Sequence, residues 1–211
     1  MPEPTDAELL DAWREGDLRS GDALAVRYFT VIRAYFLNKV PAEHEDLVQE
    51  TFMRLSSKRD RYRGESSFRV FLFGVARMVL FEHLRAKQKA ERFDPLEQSV
   101  ADLEGGRMSS LMAQHESHRV LLDALRELPL VDQELLELYY WQKLTAGEIA
   151  TVQSLPERTV RSRVRAALKR VGKAYAELVG QPQVREEAEV EGWLGELRGE
   201  LAGLRLALTP G

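Results

Sequence analysis

Apolar residues recur along this chain every three or four positions, the spacing that gathers them on one side of an α-helix, and no stretch alternates as a half-buried strand does. The pattern predicts an all-α protein. Thr5 and Glu8 stand at capping-box spacing ahead of Leu9, Leu10 and Trp13, which predicts a first helix ending near Gly16. A second, from about Asp22 to Lys39, puts Ala25, Tyr28, Phe29, Ile32 and Phe36 on one face before Pro41 interrupts. The third, about Glu43 to Ser57, has Leu47, Val48, Phe52 and Leu55 as its core stripe and leaves Glu45, Asp46, Gln49 and Glu50 for solvent or a partner. After a loop over 58–66, a long fourth helix runs from about Ser67 to Lys89.

Between residues 91 and 108 the periodicity lapses around Pro95, Gly105 and Gly106, so a flexible linker is expected there, closing a first domain over 1–90. A second small helical domain is expected over 109–180. Val120, Leu121, Ala124, Leu125 and Leu128 face inward, Pro129 stops that helix, and Leu135, Leu136, Leu138 and Tyr139 line the next. Thr145 and Glu148 then form another capping box. Ser154, Leu155 and Pro156 break the chain, and Ser154 with Glu157 repeats the capping spacing, with Pro156 in the first turn of a further helix. In that helix Val160, Val164, Ala167, Leu168 and Val171 fall on one side. Arg158, Arg161, Ser162, Arg165 and Lys169 group opposite them, flanked by Arg163 and Arg170. Two short helices joined by a tight break, the second laden with arginine, read as a helix-turn-helix whose second helix enters a DNA major groove.

Charge sharpens this picture. The 211 residues carry a formal net charge of −4, which by itself argues against a polyanionic partner. The sum hides a segregation. From Met1 to Asp22 seven acids face Arg14 and Arg19, whereas from Arg77 to Arg92 five basic residues face Glu82 and Glu91. From Ser154 to Lys173 seven basic residues face Glu157 alone. A merely solvated face mixes signs, so same-sign clusters point to two partners: a basic protein surface for the acids and a nucleic acid for the arginines. Cysteine is absent, which excludes disulfides and thiolate zinc sites and suits a reducing cytosol. The first residues lack a signal-peptide pattern and no apolar run is long enough for a membrane span, so a cytoplasmic protein without membrane insertion is expected.

Three motifs in order, EHEDLVQETFMRL at 43–55, YRGESSFRVFLFGVARMVLFEHLRAK at 62–87 and ALRELPLVDQELLELYYWQKLTAGEIATVQSLPERTVRSRV at 124–164, closely resemble bacterial RNA polymerase sigma factors of the extracytoplasmic-function type, in the sigma-70 family. The resemblance spans roughly residues 8–178. It implies a region 2 helical bundle and a region 4 helix-turn-helix, with core RNA polymerase and promoter DNA as partners, an anti-sigma factor as a candidate regulator, no cofactor and no catalysis. By the resemblance, Glu45, Asp46, Leu47, Gln49, Glu50 and Phe52 dock on the polymerase's largest subunit. Arg61, Tyr62, Arg63, Ser66, Ser67, Arg77, Arg85, Lys87 and Lys89 hold the minus-ten element, with a flipped base captured by the loop. Arg158, Thr159, Arg161, Ser162, Arg165 and Lys169 read the minus-thirty-five element. The chemistry agrees: an acidic, partly apolar face suits a basic partner, and unstacked bases need aromatic surfaces with cations along the backbone. Phe71, Met78 and Ser56 depart from residues frequent in the family, as do Ser154 and Arg158, where glycine is common. Methionine cannot make the paired hydrogen bonds of an amide to a base edge, so the minus-ten preference is expected to differ.

Residues 181–211 form an extension. Val190, Leu194, Leu197, Leu201, Leu204 and Leu208 make a leucine seam, with six acids against three arginines over 183–211. Gly195, Gly199 and Gly203 each weaken an isolated helix by about 1 kcal/mol relative to alanine, so the segment is expected to fold only when packed. It reads either as an autoinhibitory or partner-sensing helix, competing with DNA or with polymerase, or as a plain packing tail. Enzyme signals are weak. His44 and Glu45 begin like a zinc-protease helix, but Val48 stands where its second histidine belongs, and His115, Glu116 and His118 have no fourth ligand nearby in sequence.

Overall fold

A computed structural model describes residues 3–62, 66–87, 93–104, 116–180 and 187–207, with side chains placed for all of these except 61, 104, 116, 117 and 198–207. Helices build two units, Met1–His83 and Leu84–Gly211. No strand occurs among the described residues, where β pairing is limited to an isolated bridge between Ser99 and Pro129.

In the first unit, α1 (Asp6–Arg14) starts at the predicted capping box: the Glu8 amide donates to Thr5 Oγ1 at 3.3 Å, and the Thr5 amide donates to Glu8 Oε2 at 2.7 Å. These bonds satisfy amides that a helix start otherwise leaves open. Leu9, Leu10 and Trp13 bury against α2 (Leu18–Leu37), where Gly21 admits the indole: a Cβ there would stand 2.4 Å from Trp13 Nε1. Leu24, Tyr28, Val31, Ile32, Tyr35 and Phe36 form the buried stripe of α2. The predicted stripe was rotated by about one residue. Phe29, expected inside, is 44% exposed, because it lies on the edge of the stripe: of its neighbours at three- and four-residue spacing only Ile32 is buried, while Ala25, Val26 and Arg33 are not. Leu47, Val48, Thr51 and Leu55 anchor α3 (His44–Lys58), while Phe52, also expected in the core, is half-buried. A 3₁₀ turn (Arg59–Arg61) follows, and α4 (Phe68–Lys87) packs through Phe68, Leu72, Val75 and Val79, while Phe71, read from sequence as packing with them, is half-buried.

The second unit contains α5 (Val100–Glu104), which lies within the stretch expected to be linker. Ser99 and Asp102 cap it, Val100 and Leu103 are buried, and Gln98 and Pro95 accept backbone bonds from Leu130 and Val131 at 2.9 and 3.1 Å. Residues 93–104 are therefore fixed to α7. Periodicity missed this because two apolar residues in five give too short a pattern to recognise. In α6 (Glu116–Arg126), Leu121, Ala124 and Leu125 are buried, as is Leu128 just beyond it. Pro129 then caps α7 (Leu130–Leu136), which widens into a π-helical turn over Glu137–Trp141. A π turn carries an extra residue, which shifts the inward register by one position. Tyr140 consequently faces in, while Tyr139, expected inside, is 38% exposed.

The helix-turn-helix comprises α8 (Ala146–Gln153) and α9 (Glu157–Leu178). Thr145 and Glu148 form the predicted capping box of α8. The second predicted box does not form. Ser154 instead closes α8 in the left-handed region at φ 55°, and Pro156 occupies the cap of α9 without a side-chain bond. A serine cannot reach forward as an N-cap while its own backbone is turned left-handed to end the preceding helix. Finally α10 (Glu187–Ala207) seats Val190, Leu194 and Leu197 fully buried within this unit. The seam positions Leu201 and Leu204 lie beyond the placed side chains, and Leu208 outside the described residues.

Candidate nucleic-acid interface and docking face

The arginines of α9 divide into two sets according to where the helix points them. Val160, Val164, Ala167, Leu168 and Val171 are all buried, which turns Arg158, Arg161, Ser162, Arg165 and Lys169 outward, with Thr159 half-buried beside them. The two flanking arginines do other work: Arg163 and Arg170 both reach Asp132 on α7, whose carboxylate is 4% exposed. Burial raises the Asp132 pKa from its ordinary range, opposed by the charges of Arg170 and Arg163. These two guanidinium groups hold the helix-turn-helix to its support and leave the outer face to the others. On that face Arg161 is held along the helix by Glu157, at 2.5 Å, and Ser162 Oγ donates to the Thr159 carbonyl. Arg165 has no partner among the described residues. Such a row of exposed cations and hydroxyls on one helix face matches the needs of groove entry and phosphate neutralisation.

On α3, Glu45, Asp46 and Gln49 are exposed, Glu50 and Phe52 half-buried, and Leu47 is turned into the core. Leu47 is thus a packing residue here. Phe52 stacks on the exposed Phe29 with ring centroids 6.5 Å apart, and Arg33 approaches Glu45 at 3.4 Å. Together Phe29, Arg33, Glu45, Asp46, Val48, Gln49 and Phe52 line a groove of about 410 Å³. From sequence Phe29 is read as core and Arg33 is not singled out, although Ala25, Phe29 and Arg33 recur every four residues as one ridge of α2. Glu50 is less available than expected, since Arg54 binds both it and Glu82 at 2.5 Å.

Of the proposed minus-ten residues, Tyr62 stands half-buried with its ring 5.0 Å from Phe71, and its hydroxyl donates to the Ser66 carbonyl. Ser67 is exposed and its Oγ accepts from the Val70 amide at the start of α4. Arg77 lies 4.0 Å over the Phe81 ring in the first unit. Arg85 and Lys87 are exposed and belong to the second, where Arg85 lies 5.8 Å from the Phe93 ring. Arg63 and Lys89 fall outside the described residues, as does the side chain of Arg61.

An acidic, partly apolar groove on one helical unit and an exposed cationic face on a helix-turn-helix of the other have the chemistry of a DNA-binding protein with a protein partner. Residues 24–90 match the family described as Sigma-70 region 2, and residues 118–171 match Sigma-70, region 4. The RNA polymerase sigma-H factor of Pseudomonas aeruginosa is 27% identical over 199 residues, spanning 88% of this chain and 99% of that one. An ECF RNA polymerase sigma-E factor of Escherichia coli is 27% identical over 169 residues, spanning 76% and 88%. This chain belongs to the sigma-70 family, in its extracytoplasmic-function group. Solved structures share the fold: CnrH in complex with the cytosolic domain of CnrY aligns with a TM-score of 0.57 at 20% identity over 83% of this chain and 97% of that one. RpoE of Bartonella quintana, in complex with the anti-sigma factor NepR, aligns at 0.58 and 19% over 77% and 98%.

Proposed function

We propose that this sigma factor joins core RNA polymerase through the groove lined by Glu45, Asp46, Gln49, Phe52 and Phe29, and reads the minus-thirty-five element with Arg158, Thr159, Arg161, Ser162, Arg165 and Lys169. Tyr62, Ser66, Ser67, Arg77, Arg85 and Lys87, with Arg61, Arg63 and Lys89, hold the opened minus-ten strand. The functional domains are 1–90 and 109–180, joined in sequence by residues 91–108, of which 93–104 pack on α7. Supporting this reading above all is the sorting of side chains on α9, where Arg163 and Arg170 pair with the buried Asp132 while Arg158, Arg161, Arg165 and Lys169 share an exposed face.

Each group has a chemical task. Carboxylates speed encounter with a basic surface, and the paired rings of Phe29 and Phe52 slow departure by burying apolar area. Arginine forks bond guanine edges as well as phosphate, so α9 supplies both affinity and sequence preference. The protein acts in the cytoplasm, catalyses nothing itself, and is restrained by an anti-sigma factor, the kind of partner that RpoE of Bartonella quintana holds in its solved complex. Among the described residues no helix is long and apolar enough to cross a membrane.

The test is reconstitution: purified protein added to bacterial core polymerase, with transcript starts mapped on genomic DNA. The expected result is a discrete set of starts sharing upstream elements. Failure to bind core, or starts identical to those of core alone, would defeat the assignment.

A further inference from the structure

We propose that α10 is a tethered acidic competitor for the DNA backbone, clasped to the rim of the recognition face by its own apolar stripe. Residues at 190, 194 and 197 point one way on a helix, and all three of these, Val190, Leu194 and Leu197, are fully buried. Trp193 adds a ring contact to Tyr175 of α9, centroids 4.6 Å apart. That stripe fixes the rotation of α10. It carries Glu187 and Glu191, one turn apart, to the border of the face that reads DNA.

Glu187 Oε1 stands 3.4 Å from Lys169 Nζ, one of the cations assigned to the minus-thirty-five element. Glu191 Oε1 accepts from the Tyr140 hydroxyl at 2.8 Å and lines a cleft of about 610 Å³ together with Arg161 and Arg165. Glu189 and Glu196 sit roughly half a turn away from this pair on the helical wheel, and Glu196 instead approaches His118 of α6 at 3.9 Å. The acids of α10 are thus not equivalent. Two of them neutralise or repel where a phosphate would bind, and this lowers the affinity of the second unit for duplex by an amount that salt screens. The arrangement favours competition with DNA over competition with polymerase as the role of the extension.

This inference rests on the assignment of α9 as the DNA-reading helix, and the experiment separates the two. Binding of the full chain to a fluorescein-labelled 25-base-pair duplex of arbitrary sequence is followed by anisotropy across a salt series. Four proteins are compared: wild type, E187Q/E191Q, E189Q/E196Q and R161A/R165A. Glutamine keeps the acceptor for Tyr140 and both doubles change net charge equally, so folding and overall charge are matched. The expected result is binding about 3- to 10-fold tighter for E187Q/E191Q at low salt, a salt slope steeper by about one from the freed Lys169, and convergence with wild type at high salt. E189Q/E196Q should match wild type. Equal effects from the two glutamate doubles, or none from either, would overturn the clasp while leaving α9 as the DNA helix. Wild-type affinity in R161A/R165A would overturn the DNA face itself, and the clasp with it.

Discussion

Ser154 shows how one residue can carry a legible constraint and still mislead. It sits three residues before Glu157, yet its φ of 55° makes it the end of α8 rather than the start of α9. Left-handed backbone costs a residue with a Cβ about 1 kcal/mol that glycine does not bear, which explains why glycine is common at this position in the family. Ser154→Gly should therefore stabilise the second unit by about 0.5–1 kcal/mol, the gain being trimmed by the greater freedom of glycine in the unfolded chain. A shift of the urea midpoint to higher concentration checks this, and a lower midpoint would contradict it. Two of the exposed arginines of α9, Arg161 and Arg165, differ in a way sequence does not reveal. Arg161 must release Glu157 before it bonds DNA, whereas Arg165 has no partner among the described residues to release. Arg165→Ala should weaken promoter binding by about 1–3 kcal/mol, and Arg161→Ala by less, measured as dissociation constants on a cognate duplex.

Among the elements, two helical glycines play opposite parts. Gly21 lies beneath the Trp13 indole, and Gly74 in the interior of α4 has open space where a Cβ would go. Helix propensity alone predicts that alanine helps at both sites, by about 1 kcal/mol. Packing reverses the sign at the first. Gly21→Ala should destabilise the first unit by about 1–3 kcal/mol through overpacking, and Gly74→Ala should stabilise it, both read from denaturant midpoints. Proton linkage acts on α1. Backbone and side-chain bonds from Thr5 hold the Glu8 carboxyl below its ordinary pKa of 4.5, so the cap contributes stability above that value and loses it as pH falls through the lowered folded-state pKa. Chemical shifts of residues 6–9 should accordingly report fraying on the acid side, and Thr5→Ala should remove the pH dependence.

The same elements show what sequence can and cannot tell. Capping boxes at Thr5 and Thr145 and the buried stripe of α9 were legible because each depends on residues three or four apart in one helix. Phe29, Tyr139 and residues 93–104 were not. The exposure of Phe29 depends on which flank of α2 meets α3, that of Tyr139 on a π turn, and the placement of 93–104 on backbone bonds to α7 about thirty residues on. For the candidate site, the charged members could be read from clustering, whereas the Phe29–Phe52 pair required tertiary structure.

At the scale of the whole molecule, the acidic face of α3 and the cationic face of α9 belong to separate units. Phe29→Ala should cost little stability, since nearly half of the side chain is already exposed, yet should weaken core polymerase binding by about 1–2 kcal/mol if the ring is an anchor. The most direct measurement is a double dissociation on the full chain, comparing E45K/D46K with R161A/R165A for affinity to core polymerase and for transcription from a promoter mapped with the wild type. Charge reversal on α3 is predicted to weaken core binding at least tenfold, and the arginine pair to leave core binding intact while abolishing upstream promoter grip. If both variants lost core binding alike, or if the α3 reversal left it untouched, the division of labour between acidic and basic helices would be wrong.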